Sequence, residues 1–279
     1  MKDKRCLLLD GDIFAFEAAS MAEKEVDWGD DLWTVHSWFD DALRHAKNRI
    51  ESLKKQLNAD LVVFVWSDPT GDYFRKDIMP EYKGNRKTGR KPLALKELKV
   101  ALAEEYEAFM RPKLEADDVM GILATWDKYK PEYQKIIVSS DKDMKTIPAW
   151  LFNPDKDYEP WYQHEEDADL WHMTQTLAGD TTDGYGGCPN IGLDTAASFF
   201  KEGLKVEAYE HTFKSGARKG LTETRWRKVH SESLWATVVS LFKKAGLGEA
   251  EALRQAQVAR ICRASDYNFK TKEVKLWKP

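Results

Sequence analysis

Short apolar runs alternate with longer amphipathic stretches through the first half of the chain. Residues 6–9, 61–66 and 136–139 are near-continuous apolar runs of strand length, the pattern of strands buried on both faces. Between the first two, residues 31–58 set Val35, Trp38, Phe39, Leu43, Ile50 and Leu53 along one helical stripe. Residues 13–22, a segment near 92–109 and residues 116–128 read as further helices, and 149–152 as a further strand. Strands alternating with helices predict right-handed βαβ units and therefore an α/β fold with a mainly parallel central sheet flanked by helices. Beyond about residue 167 the pattern changes to helices joined by glycine-rich turns, at 171–177, 194–201, 231–245 and 249–263. The expected division is an α/β core over 1–170 and a helical region over 171–279.

Acidic residues placed just behind the apolar runs carry the chemistry. The clusters LLLDGD, WSDP, LEADD, SSDKD and GDTTD hold Asp10, Asp12, Asp68, Glu115, Asp117, Asp118, Asp141, Asp143, Asp180 and Asp183. In an open parallel sheet the ends of strands 6–9, 61–66 and 136–139 point to one edge, where such folds build their sites. Acids brought together there repel one another, and burying them without a cation is very costly. Hard divalent ions such as Mg²⁺ or Mn²⁺ prefer such oxygen ligands, and two of them can hold a phosphodiester between them. Singly, Asp10, Asp68 and Asp141 also suit turns or helix N-caps, and Asp117 and Asp118 suit the start of a helix. On a regular helix Glu115 and Asp118 share a face and Asp117 does not, so the helix starts near Asp117 or one of the three acts indirectly. The run EEDAD at 165–169 has no strand before it and reads as a solvated face.

Composition narrows this picture. The 279 residues are 42% hydrophobic and 32% charged, enough to bury a core, and the formal net charge of −4 argues against simple coating of nucleic acid. The sum hides a separation of sign, with bases concentrated at 83–91 and 214–228. The three cysteines form no CxxC, so neither a disulfide framework nor a zinc site is indicated. No signal peptide and no membrane-length apolar run stand in the sequence, and a soluble, cytoplasmic, reduced protein is expected.

The first basic segment holds Lys83, Arg86, Lys87, Arg90 and Lys91, with Tyr73, Phe74 and Tyr82 alongside. Cations contact phosphates and aromatic rings stack on unpaired bases, which suits a splayed strand end; the alternative is a solvated loop. GNRKTGRK at 84–91 is not a Walker A loop, because Arg90 and Lys91 stand where Lys and Ser/Thr are required and no strand leads in. The turn at 179–192, with Gly186, Gly187 and Gly192 before a helix that Asp194 could cap, offers backbone N–H groups to a phosphate or is a plain structural turn. The stretch 214–228 is either a contact for duplex or a charged hairpin.

Together these residues resemble the 5′-nuclease superfamily of flap endonucleases and 5′→3′ exonucleases. The likeness lies in LLLDGD, SDPTGDYFRKDIMPEYKGNRK, LEADDVMG, SSDKDMKTI and GDTTDGYGG…NIGLDTA, in the family's order. It is nearest to the 5′→3′ exonucleases of T7-like bacteriophages over almost the whole chain. The resemblance implies a two-metal core and a helical arch over 72–112. Asp10, Asp68, Glu115 and Asp117 serve one metal in that scheme, and Asp141, Asp143 and Asp180 or Asp183 the other. Asp118 acts through water or at one remove. Lys83 and Arg86 contact the phosphate, Tyr82 stacks on a base, and the glycine turn forms a helix–three-turn–helix gripping duplex DNA through K⁺. Glu17 stands where the family has arginine, and Gly184 and Asp194 depart from its turn.

The expected activity is metal-dependent hydrolysis from the 5′ end of duplex DNA and of RNA in RNA–DNA hybrids, with flap cleavage, by a monomer. The competing readings are a phosphohydrolase with Asp10 as nucleophile, which lacks the expected Gly-Thr after Asp12, and a non-catalytic nucleic-acid clamp.

Overall fold

A computed structural model describes residues 4–85 and 89–279. It divides into two compact units, one within residues 1–74, 87–165 and 261–275, the other within 75–86, 166–260 and 276–279.

The first unit is built on a six-stranded sheet in the spatial order Glu107–Met110, Leu61–Trp66, Lys4–Asp10, Tyr133–Val138, Trp150–Phe152, Trp161–Tyr162. All neighbours run parallel except the last pair. The chain lays down Lys4–Asp10, extends the sheet to one side, then crosses to Tyr133–Val138 on the other. The order therefore reverses between Lys4–Asp10 and Tyr133–Val138, and the carboxyl ends of strands beside such a reversal are where open α/β sheets place their sites.

Alternate residues of these strands enter opposite layers. Leu7, Leu9, Phe64, Trp66, Ile136 and Val138 pack with Ala15, Ala18 and Ala19 of helix Gly11–Met21, with Ala46, Ile50 and Leu53 of helix Phe39–Leu57, and with Leu98 and Leu102 of helix Leu95–Glu105. Helix Ala116–Thr125 packs on the sheet as well. The core strands thus obey the apolar pattern.

Three elements depart from the expected layout. Residues 31–58 are not one helix: Glu23–Asp27 and Trp33–Ser37 form an antiparallel hairpin, and the helix begins only at Phe39. Gly29, Asp30 and Asp31, with φ of 81°, 50° and 60°, turn the chain where the stripe would continue. Trp28, Trp33 and Trp38 are left 63%, 58% and 56% exposed. The segment near 92–109 ends as the edge strand Glu107–Met110. In the helical half, Leu204–Thr212 and Thr222–His230 form a hairpin of two nine-residue strands, whose tip and second strand contain the second basic stretch.

In the second unit Met173, Leu177, Phe199, Val206, Val238, Leu241, Phe242 and Ala256 form the core, drawn mainly from helices Glu165–Ala178, Leu193–Lys201, Leu234–Lys244 and Glu249–Ala259. Arg75 is buried and donates from Nε to the carbonyl of Val258 at 2.9 Å and from a terminal nitrogen to that of Arg260 at 2.6 Å. A cation at the last carbonyls of Glu249–Ala259 complements the negative end of that helix. Helix Leu193–Lys201 is capped by Gly192, and Asp194 lies inside its first turn.

Candidate active site and the family it defines

Each acid of the first unit sits at the carboxyl edge of the sheet for a local reason. Asp10 ends its strand and caps helix Gly11–Met21, its Oδ1 accepting from the N–H groups of Asp12 and Ile13, both at 3.1 Å. Asp68 comes just after Leu61–Trp66; its Oδ1 accepts from the Thr70 N–H and hydroxyl at 2.9 and 2.7 Å, and its Oδ2 from the Lys113 N–H at 2.7 Å. Glu115 is the N-cap of helix Ala116–Thr125. Asp141 comes just after Tyr133–Val138, and its Oδ1 accepts from the Asp143 N–H at 2.8 Å. Asp10, Asp68 and Glu115 are buried, and Asp117, Asp141 and Asp143 are half-buried.

The electrostatics mark this edge at the reversal point. The Asp10 carboxyl is pushed up to about 7, chiefly by burial, with Asp12 and Asp141 adding repulsion against the pull of its two backbone bonds. Asp68 is held below the usual carboxylate range, first by the Lys113 N–H and then by Thr70. Asp12, next to Asp10, is occupied otherwise: its Oδ1 pairs with Lys99 at 2.5 Å and its Oδ2 accepts from the Ser67 N–H at 2.9 Å. That arrangement gives Asp12 a structural post and leaves an aspartyl-nucleophile plan without its second acid.

Helix Ala116–Thr125 begins at Ala116, which settles the tension among its three acids. Asp118 is completely buried; its Oδ1 accepts from the Cys262 N–H at 3.0 Å and its Oδ2 from the Glu115 N–H at 3.3 Å. It fastens the helix start that carries Glu115 and Asp117.

Among the described residues no three carboxylate, histidine or cysteine side chains stand gathered in ligand geometry. The chemistry of the donor set nonetheless fits hard divalent cations, since it offers only carboxylates, several of them buried, and Asp10 faces two further acids.

The second unit holds the remaining candidates. The Tyr82 hydroxyl donates to Asp183 Oδ2 at 3.0 Å, Lys83 Nζ lies 3.6 Å from the same oxygen, and the Lys83 N–H donates to the Asp183 carbonyl at 2.8 Å. Asp180 Oδ1 accepts from the Thr182 and Asp183 N–H groups at 2.8 and 3.4 Å. Tyr82 is 3% exposed, and its hydroxyl is engaged by Asp183. The Arg90 guanidinium grips Glu23 with two bonds of 2.7 and 2.8 Å, a planar pair that competes with a phosphate. Lys91 is exposed. Arg86 and Lys87 lie outside the described residues.

The glycine turn at 179–192 is held by close backbone approach. A side chain on Gly179 would meet the Gly186 carbonyl carbon at 2.4 Å, and one on Gly187 would meet Gly179 N at 2.4 Å; their φ values are 69° and 62°. The Gly187 N–H is taken by Gln255 Oε1 at 3.0 Å. Gly186 and Gly192 remain exposed at the turn. With the Gly187 amide engaged and the Asp194 carboxylate in the helix's first turn, the turn has one fewer N–H group, and an added negative charge, to set against a phosphate.

Comparison with known proteins agrees with this architecture. Residues 5–150 match the N-terminal resolvase-like domain of 5′-3′ exonucleases. The exodeoxyribonuclease of Enterobacteria phage T3 is 38% identical over 286 residues, covering 99% of this chain and 94% of that protein. The exonuclease of Escherichia phage T7 is equally similar, at 38% and the same coverage. Among solved structures, a bacteriophage T5 protein co-crystallised with metal ions superposes with a TM-score of 0.52 at 18% identity, over 72% of this chain and 76% of that one. The fold and its acid edge, set beside these relatives, define a nuclease of the hydrolase class. More particularly, the chain belongs to the 5′-3′ exonuclease family.

Proposed function

We propose that this protein removes nucleotides from the 5′ ends of duplex DNA and of RNA paired to DNA, and cuts 5′ flaps, with two divalent ions, Mg²⁺ or Mn²⁺, as cofactors. The observation that carries the reading is the placement of Asp10, Asp68 and Asp141 at or just beyond the carboxyl ends of three parallel strands, with Asp10 raised by burial and by Asp12 and Asp141, in a chain related to phage exonucleases along almost its full length. A flap endonuclease of bacteriophage T5, crystallised with DNA and metal ions, has the same fold at 17% identity and a TM-score of 0.50. Primer removal, recombination and breakdown of host DNA in a bacterial cytoplasm, by a monomer, are the settings that suit such an activity. Among the described residues no helix is long and apolar enough to cross a membrane.

Asp10, Asp68, Glu115 and Asp117 would hold one ion, and Asp141 and Asp143 the other. Bound there, the ions supply charge for the scissile phosphate and acidify the attacking water. The protein's own part is positional. Asp118 fixes the helix start carrying Glu115 and Asp117. Asp183 faces the Lys83 ammonium at 3.6 Å and so holds its charge in place. Lys83, with Arg86 nearby in sequence, neutralises charge that develops on the phosphate.

Two measurements test this. Incubated with 5′-labelled duplex, the protein releases 5′-phosphorylated products with Mg²⁺ and none with EDTA; equal release under both conditions rejects the metal reading. Lys83→Ala lowers single-turnover cleavage on the order of 10²–10³-fold, with little change in duplex affinity. A loss confined to binding would remove Lys83 from the chemistry.

A further inference from the structure

The hairpin Leu204–Thr212 and Thr222–His230 carries its positive charge in two different ways. Along its strands the cations are matched: Lys205 with Glu232 at 2.5 Å, Arg227 with Glu207 at 2.8 Å, Lys228 with Glu202 at 3.4 Å, and Arg225 with Glu223 at 2.7 Å. At the tip two of them are not. Lys214 and Lys219 are exposed, and neither has a carboxylate partner among the described residues. Arg218 lies beside them, its guanidinium 4.1 Å from the ring centre of Phe213 and 3.5 Å from Glu223.

The tip is also braced. The Phe213 N–H donates to the Leu221 carbonyl at 3.0 Å, the Gly220 N–H to the Phe213 carbonyl at 2.9 Å, and the Lys219 N–H to the Gly216 carbonyl at 3.1 Å. A cation already paired gains little from a polyanion, because it must give up its own carboxylate. Unmatched cations on an ordered loop release condensed counterions when they meet a chain of phosphates. Leu221 is the large apolar residue exposed there, so the tip offers point charges with little apolar surface for a protein partner.

We propose that the tip of this hairpin is a nucleic-acid contact in which Lys214 and Lys219, flanked by Arg218, bind backbone phosphates of the substrate duplex. The proposal rests on the nuclease function proposed for the acid edge and adds to it a contact made by residues outside that edge. It requires no base recognition, so the contact is independent of sequence.

The test is the salt dependence of duplex binding by a Lys214→Ala/Lys219→Ala double variant, measured by fluorescence anisotropy in EDTA. Two lost phosphate contacts make the slope of log K against log salt shallower by about 1.8, and Lys214→Arg/Lys219→Arg restores it. Metal-dependent cleavage of saturating 5′-labelled duplex in single turnover stays at the wild-type rate in all variants. A wild-type slope in the alanine variant overturns the proposal. So does an unchanged DNA slope with lost retention on immobilised polyglutamate, which would assign the tip to an acidic protein surface. If the wild-type protein neither binds nor cleaves duplex, the nuclease reading fails first, and the proposal with it.

Discussion

Asp141→Asn is expected to lower metal-dependent cleavage on the order of 10³-fold, with circular dichroism and duplex affinity in EDTA near wild type. Asp141 stands just beyond the strand Tyr133–Val138 on one side of the reversal point, where its charge is felt by Asp10 at the end of the neighbouring strand. The amide keeps the oxygen that accepts the Asp143 N–H, so the turn survives. The substitution removes an anion and little else. If Asp141 only shaped that turn, the variant would cleave normally, and retained turnover would sink the assignment.

The largest effect on stability is expected from Asp118→Ala. The side chain is fully buried, and truncation strands the Cys262 and Glu115 N–H groups that it accepts from. Leaving two buried donors without partners costs about 2–5 kcal/mol, read as a lowered midpoint in urea unfolding. Asp118→Asn keeps one acceptor and is expected to fall between. A variant as stable as wild type would show that these two bonds contribute nothing net.

The strands of the core were legible because burial on both faces writes a continuous apolar run, as in Leu61–Trp66. The acids were legible because they stand directly behind those runs. The hairpin Leu204–Thr212 and Thr222–His230 was not, because it buries little beyond Val206 and faces charge with charge across the strands, leaving no apolar period to read. The Trp28 hairpin was hidden for the opposite reason: Val35 in its second strand and Trp38 just after it continued the apolar stripe of a helix that starts only at Phe39. Asp118 shows a further limit. Its spacing to Glu115 was visible, but Cys262 lies 144 residues away, and only tertiary structure brings that N–H to the carboxylate.

That long reach has a bearing on synthesis. Residues 261–275 complete the unit that carries the acid edge, and the Cys262 amide closes over Asp118. A ribosome must therefore translate well past the sheet and its helices before the helix bearing Glu115 and Asp117 is locked. Products terminated before Cys262 would therefore carry Glu115 and Asp117 on a helix start that lacks the bond from the Cys262 N–H to Asp118.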